Sequence, residues 1–244
     1  MPRLFTLTAL LVLAMLAPHA QGQERTALVG GRLIDGFGHA PINDSVILIY
    51  GDTILDVGTV DTLPVPESYA IVSTEGMDVL PGLWESHAHL MLAGHADYPH
   101  WDATYADRLA DEIMPASAVQ LLLAGITSAR DLGAPLDASQ SVKARVDSGE
   151  IPGPRLYMSG PFLQAQVEEW ESAFRWEVTS VADARQKVAA LDDAGMAIVK
   201  LVDQDKLPRD VAAAIVDEAH ARGMKVVAHS HRPVSYTHLR AHET

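Results

Sequence analysis

The chain has 244 residues and carries 32 Asp and Glu against 18 Lys and Arg, which gives a net charge of −14. Hydrophobic residues make up 48% of it and charged residues 20%, as in globular rather than disordered proteins. The acidic balance argues against nucleic-acid binding, which needs basic patches to displace counterions from phosphates. The absence of cysteine excludes disulfides, thiolate zinc sites, a cysteine nucleophile and a lipoprotein anchor.

Residues 1–22 have the layout of a secretory signal peptide. Arg3 is followed by an apolar run from Leu4 to Leu16, and Ala20 and Gly22 are small residues suited to cleavage. The apolar run is too short for a comfortable membrane span, although an uncleaved anchor remains the alternative. We therefore predict a secreted or periplasmic protein that has no stable membrane span once this segment is removed.

Residues 23–78 read as short strands separated by turns. The predicted strands cover 27–34, 45–50, 53–57 and 70–73. Apolar runs on both sides of Gly51-Asp52 predict a hairpin. This is too little chain for a complete β-sandwich, so we expect these strands to need a partner surface elsewhere.

From residue 79 onward, strands alternate with helices. The predicted strands cover 78–83, 126–130, 155–159, 197–202 and 225–228. The predicted helices cover 116–123, 139–147, 180–195 and 208–223, and each ends at or near a glycine. This alternation predicts an α/β fold of right-handed parallel units, either a β/α barrel or a doubly wound sheet. A closed barrel would take eight strands, and five are found.

Polar residues follow the ends of the predicted parallel strands. They are His87 and His89, Arg130 and Asp131, Lys200, and His229 with His231. A His-x-His pair alone has a high false-positive risk, because two buried, hydrogen-bonded histidines would explain it. A solitary lysine in the apolar run Ala-Ile-Val-Lys-Leu-Val is costly unless it has a use. Active sites of β/α folds lie at these strand ends, which favours a functional site here.

Six segments, taken in order, resemble the amidohydrolase superfamily and its imidazolonepropionase-like and Xaa-Pro dipeptidase-like members. They are residues 80–90, 125–133, 151–155, 198–201, 215–220 and 226–231, so the resemblance covers about 26–232. The resemblance implies a partial TIM-type (β/α)8 barrel of about five of the eight strands over residues 79–233. It also implies that residues 23–78 are the N-terminal part of a small β-sandwich domain.

Carried over residue by residue, the resemblance implies a binuclear metal centre. His87 and His89 would bind one divalent metal, Lys200 would be carboxylated and bridge two metals, and His229 would bind the second. The metals would be two zinc ions. His231 would be a catalytic residue that contacts the substrate, or a residue that contacts the metal ligands rather than the metal. The alternative for Lys200 is a buried stem with a head that reaches water.

The reaction implied by the resemblance is hydrolysis of a carbon–nitrogen bond by a metal-activated water. The substrate would be a small molecule or dipeptide with an amide, peptide or cyclic amide bond, and an oligomer of the full-length protein is possible. Two alternatives stay open. The same centre would also serve a lactonase or phosphotriesterase, and a periplasmic binding protein could keep the fold without the chemistry.

The last residues depart from the family pattern. Residues 234–244 have no strand pattern, and we expect them to be a non-native tail on a C-terminally truncated fragment. A sixth-strand histidine and an eighth-strand aspartate, which the resemblance implies, have no counterpart in the sequence. His238 and His242 are interpreted as a chance pattern. Because five strands leave open edges, the isolated polypeptide is expected to aggregate or stay partly folded, and to be inactive.

Two segments near the predicted site are interpreted as loops. The region of His95, His100 and Trp101 could cover the barrel mouth, but a solvated loop is the simpler interpretation. Residues 168–176 carry two tryptophans among acids and follow the third parallel strand. Loops at that place meet substrate in this architecture, so a role in specificity is expected there.

Overall fold

A computed structural model describes residues 24–94 and 97–229. They divide into two compact units on either side of the Pro81–Gly82 bond. The predictions for the signal peptide, His95, His231 and the C-terminal tail lie outside the described residues. Within the described ranges, no helix combines the length and the apolar character that a bilayer span requires.

The first unit is a five-stranded sheet. Its strands are β1 (Arg25–Leu33), β2 (Ile42–Tyr50), β3 (Thr53–Thr59), β4 (Ala70–Ser73) and β5 (Asp78–Val79). The order is β3-β2-β1-β4, and β5 also pairs with β1. Tyr50 pairs with Thr53 across Gly51-Asp52, so the predicted two-residue hairpin is present.

One small cluster forms the core of this unit. Ala27, Val46 and Leu48 are buried in it, while Ile54 and Ile71 on the outer strands are largely exposed. The structure describes one sheet in this unit. The second layer of a β-sandwich is not seen among the described residues and stays a prediction.

The second unit alternates strands with helices. Its strands are β6 (Leu83–Ala88), β7 (Ile126–Asp131), β8 (Arg155–Met158), β9 (Phe162–Gln164), β10 (Arg175–Glu177), β11 (Ile198–Leu201) and β12 (Lys225–Ala228). Its α-helices are α1 (Tyr98–Tyr105), α2 (Met114–Leu123), α3 (Leu136–Asp147), α4 (Val181–Asp193) and α5 (Arg209–Ala221). A 3-10 turn and a π-helical turn connect α1 to α2.

All strand pairs of the second unit are parallel. The two sheets have the orders β6-β7-β8 and β10-β9-β11-β12. The backbone N–H of Ala197 donates to the Met158 carbonyl over 3.0 Å, which joins the end of β8 to the residue before β11. The predicted α/β class is therefore confirmed, and the strand arrangement is consistent with part of a TIM-type barrel.

Capping side chains and glycines mark the ends of helices α4 and α5. The Ser180 hydroxyl accepts a hydrogen bond from the Asp183 N–H and caps α4. Gly195 and Gly223 follow α4 and α5 with φ angles of 79° and 75°, the left-handed conformation typical of helix ends. Apolar side chains of both helices pack into the main core, which includes Val188, Leu191, Val199, Leu201 and Ile215.

Both segments interpreted as loops contain regular structure, which corrects those predictions. His100 and Trp101 lie in α1, because the Asp97 carboxylate accepts from the His100 N–H and Pro99 occupies the first turn. Residues 168–176 contain a short 3-10 helix and the start of β10. Strand β10 forms there because Trp176 pairs with Leu163 of β9.

The β7–α3 connection gives a test of the packing. Gly133 has a φ of 141°, and a Cβ there would collide with the Phe162 ring. Gly149 has a φ of 76°, and a Cβ there would meet nothing within 4 Å. We expect Gly149→Ala to lower the free energy of unfolding by about 1–2 kcal/mol, from backbone strain alone. Gly133→Ala should cost about 1–3 kcal/mol more, from overpacking.

Urea unfolding followed by tryptophan fluorescence measures both losses, with Gly149→Ala as the matched control. Equal losses for the two variants would contradict the close packing of Phe162 on Gly133.

Candidate metal centre

The predicted site residues lie at the carboxyl ends of three parallel strands. His87 is on β6, and His89 comes two residues after His87, directly after the end of the strand. Lys200 on β11 stands opposite Val227 of β12, and His229 comes two residues after Val227. Side chains two residues apart in extended chain share a face, so Lys200 and His229 lie on the same face of their sheet.

The three histidines of the predicted site that the structure describes, His87, His89 and His229, lie close together. The Nε2 atoms of His87 and His89 are 3.2 Å apart, and the His87 and His229 rings stack with centroids 5.4 Å apart. The strands that carry His87 and His229 are far apart in sequence, so the fold brings these rings together. His231, the remaining site residue of the prediction, lies outside the described residues.

Lys200 is the largest fully buried side chain in the described part of the chain, with 0% of its surface exposed. Its Nζ has no hydrogen-bond partner among the described residues. Burial lowers the pKa of this amine to about 8, because removal from water disfavours the charged form. A buried stem whose head reaches water, the alternative interpretation, does not fit this side chain.

The histidines near Lys200 favour the neutral form. Burial is the main cause that lowers the pKa of His89 to about 4, and the positive charges of His87 and Lys200 add to it. Burial also lowers the pKa of His87, with Lys200 as the second cause. A neutral imidazole offers one nitrogen lone pair, which is what a metal ion requires of it.

The donor set fits a divalent cation on its chemistry. Two imidazole nitrogens on one zinc ion at a tetrahedral angle would be roughly 3.3 Å apart, close to the His87–His89 separation, which an N–H···N hydrogen bond would also explain. Within the described ranges, no three His, Asp or Glu side chains form a complete metal-binding group. Lys200 would have to supply a further ligand, and its ammonium form has no lone pair with which to do so.

Asp131 supports the histidine strand from the other side. Its side chain is 1% exposed, and its Oδ1 accepts a 3.0 Å hydrogen bond from the Leu90 N–H, next to His89. Its Oδ2 has no partner among the described residues. Burial raises the pKa of Asp131 to about 7, and the Leu90 hydrogen bond offsets only part of this effect. Asp131 thus holds the turn after β6 in place.

A cavity that no sequence pattern indicated lies beside His89 and His229. It has a volume of about 380 Å³ and is reached by His89 and His229. Six aromatic side chains line it: Tyr98, Trp101, Tyr105, Phe162, Trp170 and Phe174. Asp97 followed by Pro99 was a usable signal for the helix that carries the first three, whereas nothing local indicated that their rings would converge.

A comparison with protein families then identifies the chain. The model described as "Amidohydrolase family" matches residues 79–238, which is more than half of the sequence. The chain belongs to the amidohydrolase family. This confirms the resemblance inferred from the strand-end residues. In a sequence comparison, no curated protein matches this family member.

Solved structures similar to this amidohydrolase-family chain include three hydrolases. A Bifidobacterium longum protein provisionally assigned as a prolidase is 27% identical, with 88% of this chain and 51% of that chain covered and a TM-score of 0.71. A prolidase complexed with N-methylphosphonate-L-proline is 24% identical, with 89% and 59% covered and a TM-score of 0.77. Molinate hydrolase is 19% identical, with 91% and 57% covered and a TM-score of 0.78.

The last two identities are below 25%, so those likenesses concern the fold alone. The chain spans between half and three-fifths of the length of these structures.

The buried carboxyl group of Asp131 predicts a specific pH dependence of stability. Its pKa rises from an ordinary value of 3.8 to about 7 on folding. Between these two values the folded chain keeps a proton that the unfolded chain releases, so this contribution to stability is lost as the pH rises from 4 to 7. The histidines, whose pKa values fall on folding, have the opposite effect, but they cancel in a comparison with Asp131→Asn.

We expect the free energy of unfolding of the parent, minus that of Asp131→Asn, to decrease by roughly 4 kcal/mol from pH 4 to pH 7 and to level off above it. Urea titrations at five pH values measure this difference, with the exposed Asp61→Asn as control. A difference that does not change with pH would contradict the buried state of Asp131.

Proposed function

We propose that this protein is a metal-dependent hydrolase of carbon–nitrogen bonds in small substrates. The observation that carries the proposal is the fully buried amine of Lys200, which has no hydrogen-bond partner in residues 24–94 and 97–229 and lies near histidines that favour the neutral form. A structural role does not account for it, because an unpaired buried polar group costs free energy. The family match supports the same conclusion.

The proposal includes a finer description of the architecture. Strands β6, β7, β8, β11 and β12 would be five of the eight strands of a TIM-type barrel, with helices between them. The sheet of the first unit would be part of a small β-sandwich. The order of the parallel strands and the Met158–Ala197 hydrogen bond support the first statement.

His87, His89, His229 and Lys200 would hold a pair of divalent cations. Zinc suits a set of imidazole ligands. When bound, such a pair lowers the pKa of a water molecule and polarises a carbonyl group. The chain's own contribution is to keep His87 and His89 neutral, chiefly through burial. Asp131 keeps the turn after His89 in place.

Lys200 would supply its ligand atoms as a carbamate. The neutral amine adds to carbon dioxide, an N–C bond forms, and one proton is released to solvent. The product has two oxygens, enough to bridge two cations. Burial favours this step because it raises the fraction of neutral amine at neutral pH.

The substrate class proposed is an amide, a peptide or a cyclic amide. In the overall reaction, water adds across the C–N bond to give a carboxylic acid and an amine. The similarity to the Bifidobacterium longum protein provisionally assigned as a prolidase supports this class over esters. His231 would contact the substrate or move a proton near it, and the protein would act in the periplasm or outside the cell.

Replacement of Lys200 tests the centre. In the full-length protein, we expect Lys200→Met, which keeps an unbranched apolar stem, to fold and to lose amide hydrolysis by at least the roughly 100-fold typical of disturbed metal sites. Bound metal per chain, measured by mass spectrometry, should fall from two. The carbonyl signal of a carbamate, seen by NMR after incubation with ¹³C-bicarbonate, should disappear.

The matched control is Lys206→Met, which removes an exposed lysine that pairs with Asp203. It should leave all three readouts unchanged. Two metals per chain in Lys200→Met, or no carbamate signal in the parent, would contradict the proposal. Hydrolysis of lactones or phosphotriesters in place of amides would overturn the substrate class alone.

Export is tested by the N-terminus of the protein recovered from a bacterial host. We expect the mature chain in the periplasmic or secreted fraction, beginning at residue 21 or 23, because small residues precede both positions. N-terminal sequencing measures this directly. An intact Met1 on cytoplasmic protein would contradict it.

A further inference from the structure

A chain of aromatic rings leads from the candidate centre into the cavity. The His89 ring lies 5.8 Å from the Phe162 ring, measured between centroids. Phe162 and Phe174 are 6.2 Å apart in an edge-to-face arrangement, and Trp170 lies 5.9 Å from Phe174. The wall formed by Phe162 of β9, Trp170 of the 3-10 helix and Phe174 is therefore continuous with a histidine of the centre.

Helix α1 contributes three further rings to the cavity lining. The Trp101 and Tyr105 rings stack at 5.7 Å with an angle of 5° between their planes. The Trp101 indole packs so closely on Gly94 that a Cβ there would lie 2.9 Å from it. The absence of a side chain at position 94 thus lets the indole occupy its place in the wall.

Two charged groups of the cavity, Arg175 and Glu171, are paired with each other. The Arg175 Nε lies 3.0 Å from the Glu171 carboxylate, and Nη1 donates to the Gln164 side chain over 2.7 Å. The guanidinium also lies over the Phe162 ring, 5.0 Å from its centroid. Arg175 is thereby neutralised and held against the aromatic wall, so the cavity favours an uncharged, apolar occupant over an anion.

We propose that this cavity, the aromatic pocket, binds a large apolar and preferably aromatic side chain of the substrate, next to the amide bond that is hydrolysed. The inference rests on the proposed function and adds a substrate class to it. The volume of about 380 Å³ lies in the range of small-molecule sites and is much larger than a methyl group would fill. Phenyl and indole groups would stack edge-to-face on the rings that line it.

The test compares N-acetyl-phenylalanine with N-acetyl-alanine, which differ only in the side chain. Calorimetry on the metal-free full-length protein measures binding without turnover, and kcat/KM is measured on the same protein loaded with zinc. We expect the phenylalanine compound to be favoured at least about tenfold in both measurements, since even one methylene in an apolar pocket is worth that much.

Two variants act on the pocket by different routes. Trp101→Ala removes a wall ring, and Gly94→Ala keeps every ring but pushes a methyl group against the indole. Both should reduce the preference to within about threefold, with circular dichroism as the check on folding. The control, Phe37→Ala, removes an 85% exposed ring from the first unit and should keep the full preference.

Equal binding of the two compounds by the parent overturns the inference, as does an undiminished preference in both folded pocket variants. Failure of the proposed function gives a different result: the aromatic compound binds selectively, Trp101→Ala abolishes this selectivity, and no amide is hydrolysed at any metal content.

Discussion

The desolvation of one amine is the constraint on which the candidate site depends. All four residues of β11 are buried, Lys200 included, because the strand runs between β9 and β12 and packs into the main core. Transfer of an ammonium ion into such a place costs several kcal/mol, so the fold favours the neutral amine. The reactivity proposed for Lys200 is thus a consequence of core packing.

Polar groups at the strand ends of the second unit serve two purposes. The rings of His87, His89 and His229 lie close together there. Asp131 of β7 is buried, and its carboxyl group accepts a hydrogen bond from the Leu90 N–H. Because Leu90 follows His89 directly, this hydrogen bond limits how far that histidine can move. The position of His89 therefore depends in part on a polar contact with the neighbouring strand.

Elements outside the regular strand–helix repeat surround the candidate centre. Helix α1 lies in the connection after β6, and β9 and β10 lie in the connection after β8. Together these two connections carry the six rings of the aromatic pocket. The strands of the repeat carry the groups proposed for chemistry, and these inserted elements carry the groups proposed for selectivity. Such a division allows one metal centre to serve different substrates when only the connections change.

The sequence by itself determined the α/β class, the parallel strands and the residues at their ends, since these depend on local alternation of apolar residues and on turn chemistry. It also singled out Lys200 as a candidate site residue, because a charged residue inside an apolar run can be recognised from the sequence alone. Helix α1 and strands β9 and β10 were not predicted, and β6 begins at Leu83, where the predicted strand 78–83 ends. Helix α1 has little amphipathic pattern, and the short strands β9 and β10 pair with each other.

Only the tertiary structure decided how these residues meet. The His87–His229 stacking, the isolation of the Lys200 amine and the raised pKa of Asp131 depend on neighbours distant in sequence. The same holds for the aromatic pocket, whose rings come from separate connections. Strand ends are encoded locally, whereas burial and convergence are properties of the packed chain, so no local pattern could specify them.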